Sequence, residues 1–234
     1  MELAKQFITF FGLAFSALLP LINPLGDALV FMGIVGAAPA DVYLALSKRI
    51  AINTALFMMV IQVVGTTIFK FFGISLPVMQ VSGGLVLASM GWHLLNQSDP
   101  APTPGTVTTD GPDIAWLERQ LFYPFTFPIT AGPGAVVVMV TLSAHASVAG
   151  GPSVVGVLPT LAAHGGIVAA VLLLCVAVYF CYGHAPAITA RVRPGTTHGI
   201  LRVIAFVLFA IGVQITWNGV AALLQTVVPG HPSL

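Results

Sequence analysis

Charged side chains are scarce in this sequence, and their scarcity excludes most classes of soluble protein. Asp, Glu, Lys and Arg make up 6% of the 234 residues, whereas hydrophobic residues make up 57%. A soluble globular domain carries about 25% charged residues. The composition therefore predicts an integral membrane protein that crosses the bilayer several times. Because the formal net charge is only +1, nothing indicates a nucleic-acid partner.

Motifs of catalysis and metal binding are also missing. The sequence has no phosphate-binding G-x-x-x-x-G-K-[ST] loop, no H-E-x-x-H and no G-x-S-x-G. We therefore expect no ATP hydrolysis within this chain, no enzyme activity, no cofactor and no metal site. The only cysteines, Cys175 and Cys181, lie in one apolar run and are interpreted as small packing residues.

Long apolar runs dominate what the sequence does contain. Hydropathy predicts six membrane spans, at about 7–36, 49–72, 76–96, 121–143, 154–182 and 199–228. The first run follows Lys5 without a small-residue cleavage site, so we expect a retained span rather than a signal peptide.

A polar stretch from Gln97 to Trp116 separates the first three spans from the last three. We predict a first three-helix repeat over 1–96, a polar loop over 97–120 and a second three-helix repeat over 121–234. Together they form one membrane domain. Shorter polar stretches, at Pro39–Lys48 and Arg191–Gly195, are predicted as turns between spans.

Two of the apolar runs carry helix-breaking residues at matching positions. The breaks are Asn23-Pro24-Leu25-Gly26-Asp27 in the first run and Thr130-Ala131-Gly132-Pro133-Gly134 in the fourth. Proline removes a backbone donor, and broken backbone in a membrane is tolerated only against protein or a water-filled cavity. Paired breaks are typical of the central site of secondary transporters. The sequence therefore predicts an all-α integral membrane fold in which helices 1 and 4 are broken mid-membrane.

The two halves can be superimposed at these breaks. Pro20–Gly26 aligns with Pro128–Gly134 without a gap, and an apolar run follows each segment. Because each half has three spans, an odd number, the second half must enter the membrane in the opposite sense. We therefore predict six transmembrane helices arranged as two inverted three-helix repeats.

The basic residues predict which side of the membrane each loop faces. Six of the eight Lys and Arg residues lie in or beside the segments 37–48, 97–120 and 183–199, and the other two are Lys5 and Lys70. Cytoplasmic loops carry an excess of Lys and Arg. We therefore expect these three segments to be cytoplasmic and both termini to lie outside.

Asp27 is the one acidic residue well inside a predicted span, because the other six lie in loops or at span ends. Ionisable groups at such positions are costly and indicate function. Asp27 is therefore a candidate for proton coupling. The alternative is that Asp27 caps the second half-helix by accepting from its first N–H groups, and the two roles are compatible.

The breaks also suggest a mode of binding. A half-helix that begins after Gly26, and another that begins after Gly134, would point their N–H groups towards the membrane centre, where they attract a carboxylate. Carbonyl groups left unpaired before each break could accept from an ammonium group, so a small zwitterion fits. The alternative is a pair of proline kinks whose backbone is satisfied by Ser or Thr. The predicted substrate-binding residues at the breaks are Asn23, Pro24, Leu25, Gly26, Asp27, Thr130, Ala131, Gly132, Pro133 and Gly134.

Other polar residues inside the spans have two interpretations. Asn53, Gln62 and Gln214 could line a polar path, or could form hydrogen bonds between helices, which we favour for Asn53 and Gln62. His164 could relay protons, although a packed, hydrogen-bonded histidine is the commoner case.

Two further patterns are interpreted as structural. Gly83 and Gly84 with Ala88 have the spacing of small residues that lets helices pack closely. Tyr182, near a span end, has the position of a membrane-interface anchor.

These motifs resemble those of the MarC family, also called the SnatA-like neutral amino acid transporter family, of the LysE-type superfamily. The resemblance covers nearly the whole chain outside 97–116. The matching segments are Asn23–Gly26, Ala131–Ala135, Phe72–Ser75, Ser82–Gly84, Gly212–Gln214 and Asn218–Gly219. The resemblance implies a six-helix inverted repeat in the inner membrane and small neutral amino acids as substrates. It also adds Gln214 to the predicted binding residues.

The sequence departs from the family pattern at three positions. Leu29 stands where a second proline is common, and Gln80 stands where an arginine commonly opens span 3, although Arg202 keeps the comparable position in span 6. Asp27 occupies a site that more often holds asparagine or another small residue. These departures bear on the coupling ion and the substrate more than on the fold.

We therefore expect a secondary transporter of small neutral amino acids such as glycine and alanine, proton-coupled through Asp27. Its partners would be the amino acid and the lipid bilayer, and a homo-oligomer is left open. The alternatives are an exporter of another small metabolite and a non-transporting membrane scaffold. A dry, filled centre between the two breaks would favour the scaffold.

Overall fold

The structure is a computed structural model that describes residues 1–96, 114–148, 157–191 and 194–227, and these residues form helices without any strand. The helices are α1 (Glu2–Ile22), α2 (Pro24–Val35), α3 (Ala40–Phe71), α4 (Leu76–Asn96), α5 (Ile114–Arg119), α6 (Pro133–Val148), α7 (Val157–Gly183), α8 (Ala185–Arg191) and α9 (Pro194–Val227). The segment Leu121–Thr130, between α5 and α6, has hydrogen bonds between residues five apart, as in a π-helix. We call it the wide-turn segment. The predicted all-α class is confirmed.

Four described helical stretches are long and apolar enough to cross a membrane: Glu2–Val35, Ala40–Gly65, Val157–Gly183 and Ala205–Gln225. The pair Leu121–Thr130 and Pro133–Ser147, bent by 69°, makes a fifth if it counts as one span. The remaining predicted span, α4, is 21 residues long, but Gln80 and several small residues dilute its apolar character. The count of six spans therefore stays a prediction.

Two predicted turns are largely helical. The stretch Pro39–Lys48 belongs to α3 from Ala40 onwards, because its polar side chains, including Asp41 and Lys48, lie exposed on a helix that also buries Tyr43. The segment 183–199 contains α8 and the start of α9. Most of the loop 97–120 lies outside the described residues.

The core is formed where α1, α2, α3, α6 and α7 meet. α1 and α3 both pack along α7, and α6 packs against α3, α4 and α1. Fully buried apolar side chains from these helices include Leu18, Phe31, Ile50, Met139 and Val171. Burial of this kind holds the two broken elements against a common wall, which is α7.

Small residues bring α4 and α9 into close contact, as the Gly84–Ala88 spacing predicts. A Cβ atom on Gly84 would collide with the side chain of Thr216, and one on Gly212 would collide with the backbone nitrogen of Ala88. Gly91 lies equally close to the backbone of Phe209. Only glycine and other small residues permit two helix backbones to approach this closely.

The pairing of helices bears on the predicted symmetry without settling it. α3 packs against α7, and α4 packs against α9, so the second predicted span meets the fifth and the third meets the sixth. A two-fold axis that exchanged the halves would relate each of these pairs to itself. That the halves cross the membrane in opposite senses stays a prediction.

One ion pair bears on the predicted topology. Arg49 of α3 donates to Glu118 of α5 across 2.7 Å, which places the start of α3 and the end of the 97–120 segment at the same end of the bundle. Which side of the membrane that end faces stays a prediction. The pair is half exposed, so it contributes at most about 1 kcal/mol to stability.

Candidate functional site

The first break consists of a single residue, Asn23. Its backbone is left-handed, with φ 38° and ψ 62°, a conformation that asparagine tolerates better than most residues. Its N–H closes α1 by donating to the carbonyl of Leu19 across 2.9 Å. Pro24 then opens α2, at the helix position where a missing N–H costs nothing.

The side chain of Asn23 caps α2. Its Oδ1 accepts from the N–H of Gly26 across 3.2 Å, and a Cβ atom on Gly26 would collide with the Asn23 amide. Asparagine-proline-leucine-glycine is therefore a self-consistent start of a helix. The half-helix begins at Pro24 rather than after Gly26. The interpretation of Asp27 as the cap is wrong, because Asn23 already occupies that role.

This cap gives a testable prediction for stability. Asn23→Ala should lower the free energy of unfolding by about 2 kcal/mol, because it removes the cap and puts alanine in a left-handed conformation. Asn23→Gly should cost only a few tenths of a kcal/mol, since glycine tolerates that backbone. Thermal unfolding of the purified variants in detergent measures the difference.

Gly26→Ala provides the second arm of the same test. Its added methyl group would displace the Asn23 side chain, so its cost should be close to that of losing the cap, about 1 kcal/mol. The matched control is Gly33→Ala on the same helix, because nothing lies within 4 Å of a Cβ atom there. Equal effects of the two alanine variants would contradict the cap.

The second break follows the wide-turn segment. Tyr123 and Phe127 have extended backbones, as residues before proline prefer. Thr126 and Thr130 each donate a hydroxyl to the carbonyl five residues earlier, across 2.7 Å in both cases. The segment ends at Ala131, whose N–H donates to the carbonyl of Thr126. The predicted break at 131–134 is confirmed, and the helices on either side of it meet at 69°.

The two half-helix starts differ in the donors they leave open. In α2, Pro24 has no N–H and the Gly26 N–H is capped, so Leu25 alone among its first three residues lacks an acceptor in the described structure. In α6, the first helical bond is donated by Val136 to Gly132. No described residue accepts from the N–H groups of Gly134 or Ala135, both of which are buried.

Gly134 also has a packing role. A Cβ atom there would collide with the side chain of Leu87, which comes from α4. Because Gly134 has no side chain, α4 can lie against the start of α6. Sequence reasoning had assigned Gly134 to the break alone.

Tyr182 of α7 stands between the two breaks. Its hydroxyl lies 2.9 Å from the Thr130 hydroxyl, and its ring stacks on Phe31 of α2 with a centroid distance of 4.8 Å. Asp27 lies one turn before Phe31 on α2, so Tyr182, which stacks on Phe31, packs beside that turn of the helix. The structure therefore brings the first turn of α2 and the end of the wide-turn segment to the same residue.

The Asp27 carboxylate is left unsatisfied there. Its Oδ2 atom is buried and has no hydrogen-bond partner. A buried carboxylate oxygen without a partner is costly, and most native buried polar atoms are paired. This orphan atom is the feature of the break region that a folded scaffold alone does not require.

Aromatic side chains fill the space beside Asp27. Phe31 contacts Tyr43, Phe125 and Tyr182, with centroid distances of 5.7, 5.2 and 4.8 Å, and all four side chains are fully buried. Tyr43 donates its hydroxyl to the carbonyl of Gly36 across 2.8 Å. A cluster of buried aromatic side chains is therefore packed on α2 one turn beyond Asp27.

A cavity of about 720 Å³ lies on the other side of the first break. Break residues Asn23, Pro24 and Leu25 line it from one side, and Cys181 of α7 and Val207 of α9 from the other. Its walls are almost wholly apolar. Asp27 does not line this cavity.

The remaining predicted site residues lie apart from this cluster or at its edge. Gln214 lies on an exposed part of α9, where its amide nitrogen donates to Asn218 one turn on, across 2.9 Å. Its role in binding stays a prediction. No group of three or more His, Cys, Asp or Glu side chains suited to a metal ion occurs among the described residues.

Tyr182 is the site residue that sequence reasoning missed. It had the position of an interface anchor, but its side chain is fully buried. Nothing local in the sequence signals that burial, which comes from packing against α2. Because Tyr182 is the second-last residue of α7, the breaks lie level with that end of the helix, and their depth in a bilayer stays a prediction.

The apolar helices, the broken spans and the buried carboxylate define a multi-pass integral membrane protein. The family model described as MarC family integral membrane protein matches residues 8–224. The chain therefore belongs to the MarC family, as its motifs indicated.

Curated relatives support this assignment. The UPF0056 inner membrane protein MarC of Salmonella typhimurium is 30% identical over 223 residues, which cover 92% of this chain and 96% of that protein. The protein of the same name from Escherichia coli is 27% identical over 224 residues, with the same coverage. A UPF0056 membrane protein of Pyrococcus horikoshii is 31% identical over 130 residues, 56% of this chain and 62% of that protein. No solved structure matches. The chain is a multi-pass protein of the inner membrane.

Proposed function

We propose that this protein is a secondary transporter of small neutral amino acids, of which glycine and alanine are the best candidates. The observation that carries the proposal is the buried, unpartnered Oδ2 of Asp27. Asp27 lies one turn before Phe31, whose ring stacks on Tyr182, and Tyr182 meets Thr130 of the second break. An ammonium group supplies both the charge and the hydrogen-bond donor that the Asp27 oxygen lacks.

The start of α6 would bind the other charged group of the substrate, its carboxylate. The N–H groups of Gly134 and Ala135 have no described acceptor, and a helix N-terminus favours a negative group. A substrate carboxylate would bind there. This differs from the symmetric arrangement expected from the sequence, because α2 retains only the Leu25 N–H for such a contact.

The aromatic cluster would set the size of the substrate. Phe31, Phe125 and Tyr182 pack against one another beside Asp27 and leave little space for a large side chain. A substrate with a hydrogen atom or a methyl group as its side chain needs the smallest rearrangement. Volume changes in a close-packed interior are costly, which would discriminate against larger amino acids.

Asp27 would also couple transport to protons. A carboxylate without a cationic partner is expensive to keep charged in a dry site. We propose that Asp27 carries a proton when the site is empty and releases it when the substrate ammonium binds. We propose transport rather than catalysis, because the sequence places no second carboxyl group inside the predicted spans to act with Asp27.

A non-transporting scaffold is the second candidate, and one observation favours it. Buried aromatic side chains pack between α2 and the wide-turn segment, as expected for a scaffold. The orphan oxygen of Asp27 argues for the transporter, since a scaffold gains nothing from it. The protein would then have to open before a substrate enters, as alternating access requires.

Uptake by proteoliposomes tests the proposal. The purified protein is reconstituted with an imposed proton gradient, and accumulation of labelled glycine, alanine and phenylalanine is compared with protein-free liposomes. We expect gradient-dependent uptake of glycine and alanine at least about tenfold faster than that of phenylalanine, the size of effect that about 1.4 kcal/mol produces. Absence of flux for every small amino acid would reject the substrate class and leave another small metabolite or the scaffold.

A further inference from the structure

A second polar cluster lies far from the breaks, between α3, α6 and α7. It consists of Gln62, Ser143, Ser147 and His164. On α7, His164 precedes Tyr182 by about five turns, or about 27 Å along the helix axis. The cluster therefore lies near the opposite end of α7 from Asp27.

The hydrogen bonds define the state of the histidine. The Gln62 amide nitrogen donates to the carbonyl of His164 across 3.2 Å and lies 3.1 Å from its Nδ1. An amide nitrogen can only donate, so Nδ1 accepts and the ring proton is on Nε2. That N–H lies 3.4 Å from the hydroxyl of Ser147. The bond between Gln62 and His164 confirms the interhelical role expected for Gln62.

Part of the cluster is unsatisfied. Gln62 is 6% exposed, and its Oε1 is buried without a hydrogen-bond partner. A cavity of about 380 Å³ is bounded by the four polar side chains and by the apolar residues Met59, Val63 and Val168. A glutamine that only tied α3 to α7 would need neither the cavity nor the free carbonyl oxygen.

We propose that this cavity is a second binding station for the amino acid. The substrate ammonium would donate to Gln62 Oε1, and its carboxylate would accept from His164 Nε2–H. The Ser147 hydroxyl, which donates to the Ser143 carbonyl across 2.8 Å, would turn to donate to the same carboxylate. Ser147 lies at the exposed edge of the cluster and marks the entrance. The inference rests on the proposed function and adds a site at which the substrate waits before or after the Asp27 site.

A residue between the two stations supports a connecting route. Thr54 lies about two turns from Gln62 on the same face of α3, and its buried hydroxyl also lacks a partner. Four described side chains leave a buried oxygen unpaired, those of Asp27, Thr54, Gln62 and Thr141, and two of them, Thr54 and Gln62, lie on one face of α3. A small polar molecule that moved along α3 would find an acceptor at each stage.

Equilibrium dialysis with labelled glycine tests the inference. We expect the purified wild-type protein to bind two glycine molecules per chain. Gln62→Leu and Asp27→Asn should each reduce this to one, and the double variant should bind none. Ser147→Ala, at the exposed edge, should weaken the second site about threefold without loss of fold. Ser82→Ala, which removes a hydroxyl that donates to the Met79 carbonyl within α4, is the control and should still bind two.

The outcomes separate the two proposals. One glycine per chain in the wild type, abolished by Asp27→Asn and unchanged by Gln62→Leu, would reject the second station and leave the proposed function standing. No glycine bound to any variant would reject the proposed substrate class and the second station with it. Size-exclusion profiles and thermal unfolding of Gln62→Leu check that a lost molecule of glycine does not reflect a lost fold.

Discussion

Replacing Asp27 with asparagine is expected to reduce glycine uptake at low substrate concentration by about tenfold to a hundredfold. A hydrogen bond to a charged group is worth about 1.5–3 kcal/mol, and each 1.4 kcal/mol changes a rate ratio tenfold. Asparagine keeps the shape of the side chain but cannot pair with an ammonium group as an anion, and it cannot exchange a proton. Uptake should therefore also lose its dependence on the proton gradient.

The same variant should fold as well as the wild type. In the empty protein its neutral amide replaces a protonated, neutral carboxyl group of the same shape whose Oδ2 has no partner, so thermal stability should be unchanged. The control is Asp41→Asn, in which an exposed carboxylate at the start of α3 is replaced, and uptake should stay at the wild-type rate. Undiminished, proton-driven uptake by Asp27→Asn would exclude Asp27 from binding and coupling.

Gly212→Leu is expected to have the largest effect on stability, a loss of about 3 kcal/mol in the free energy of unfolding. A Cβ atom at Gly212 would collide with the backbone nitrogen of Ala88 and lie 2.8 Å from the carbonyl of Gly84. These are backbone atoms of α4 and cannot move aside singly. Overpacking of this kind costs about 1–3 kcal/mol, and four added carbon atoms place the change at the upper end.

Gly12→Leu is the matched control for that substitution. Gly12 is an exposed helical glycine of α1, and nothing lies within 4 Å of a Cβ atom there. Its stability should change by less than about 0.5 kcal/mol, the usual range for surface positions. Circular dichroism during heating in detergent measures both variants. Equal stabilities of the two leucine variants would show that α4 and α9 do not pack as described.

The breaks could be predicted from the sequence because their cause is local. Proline lacks the backbone donor, so the helix must end close to it whatever surrounds it. The exact cap could not be predicted, since Asn23 and Asp27 both have side chains suited to that role. The choice depends on which of them folds over Gly26, and that requires the backbone conformation of Asn23.

Contacts between segments that are distant along the chain could not be predicted from the sequence. Tyr182 meets Thr130 across 52 positions, and Gln62 meets His164 across 102 positions. Neither residue type signals its partner, because a tyrosine near a span end and a polar residue within a span each have an ordinary interpretation. Close packing of α4 against another helix could be predicted from its own sequence, since small residues spaced four apart occupy one face, but its partner α9 could not.

The predicted helix boundaries were wrong where charged residues were taken as the end of a span. Lys48 and Arg49 lie within α3 and expose their side chains, so the helix continues through them to its start at Ala40. A charged residue ends the apolar part of a helix without ending its hydrogen bonds. A loop next to charged residues should therefore be expected to be shorter than the polar stretch that predicts it.

A structure of the protein bound to glycine or alanine tests most directly whether the two breaks together hold a small polar guest. We expect the ammonium group within hydrogen-bond distance of Asp27 Oδ2 and the carboxylate at the N–H groups of Gly134 and Ala135, with Tyr182 beside both. A helix that runs unbroken through Asn23, or a ligand bound away from both breaks, would contradict this arrangement.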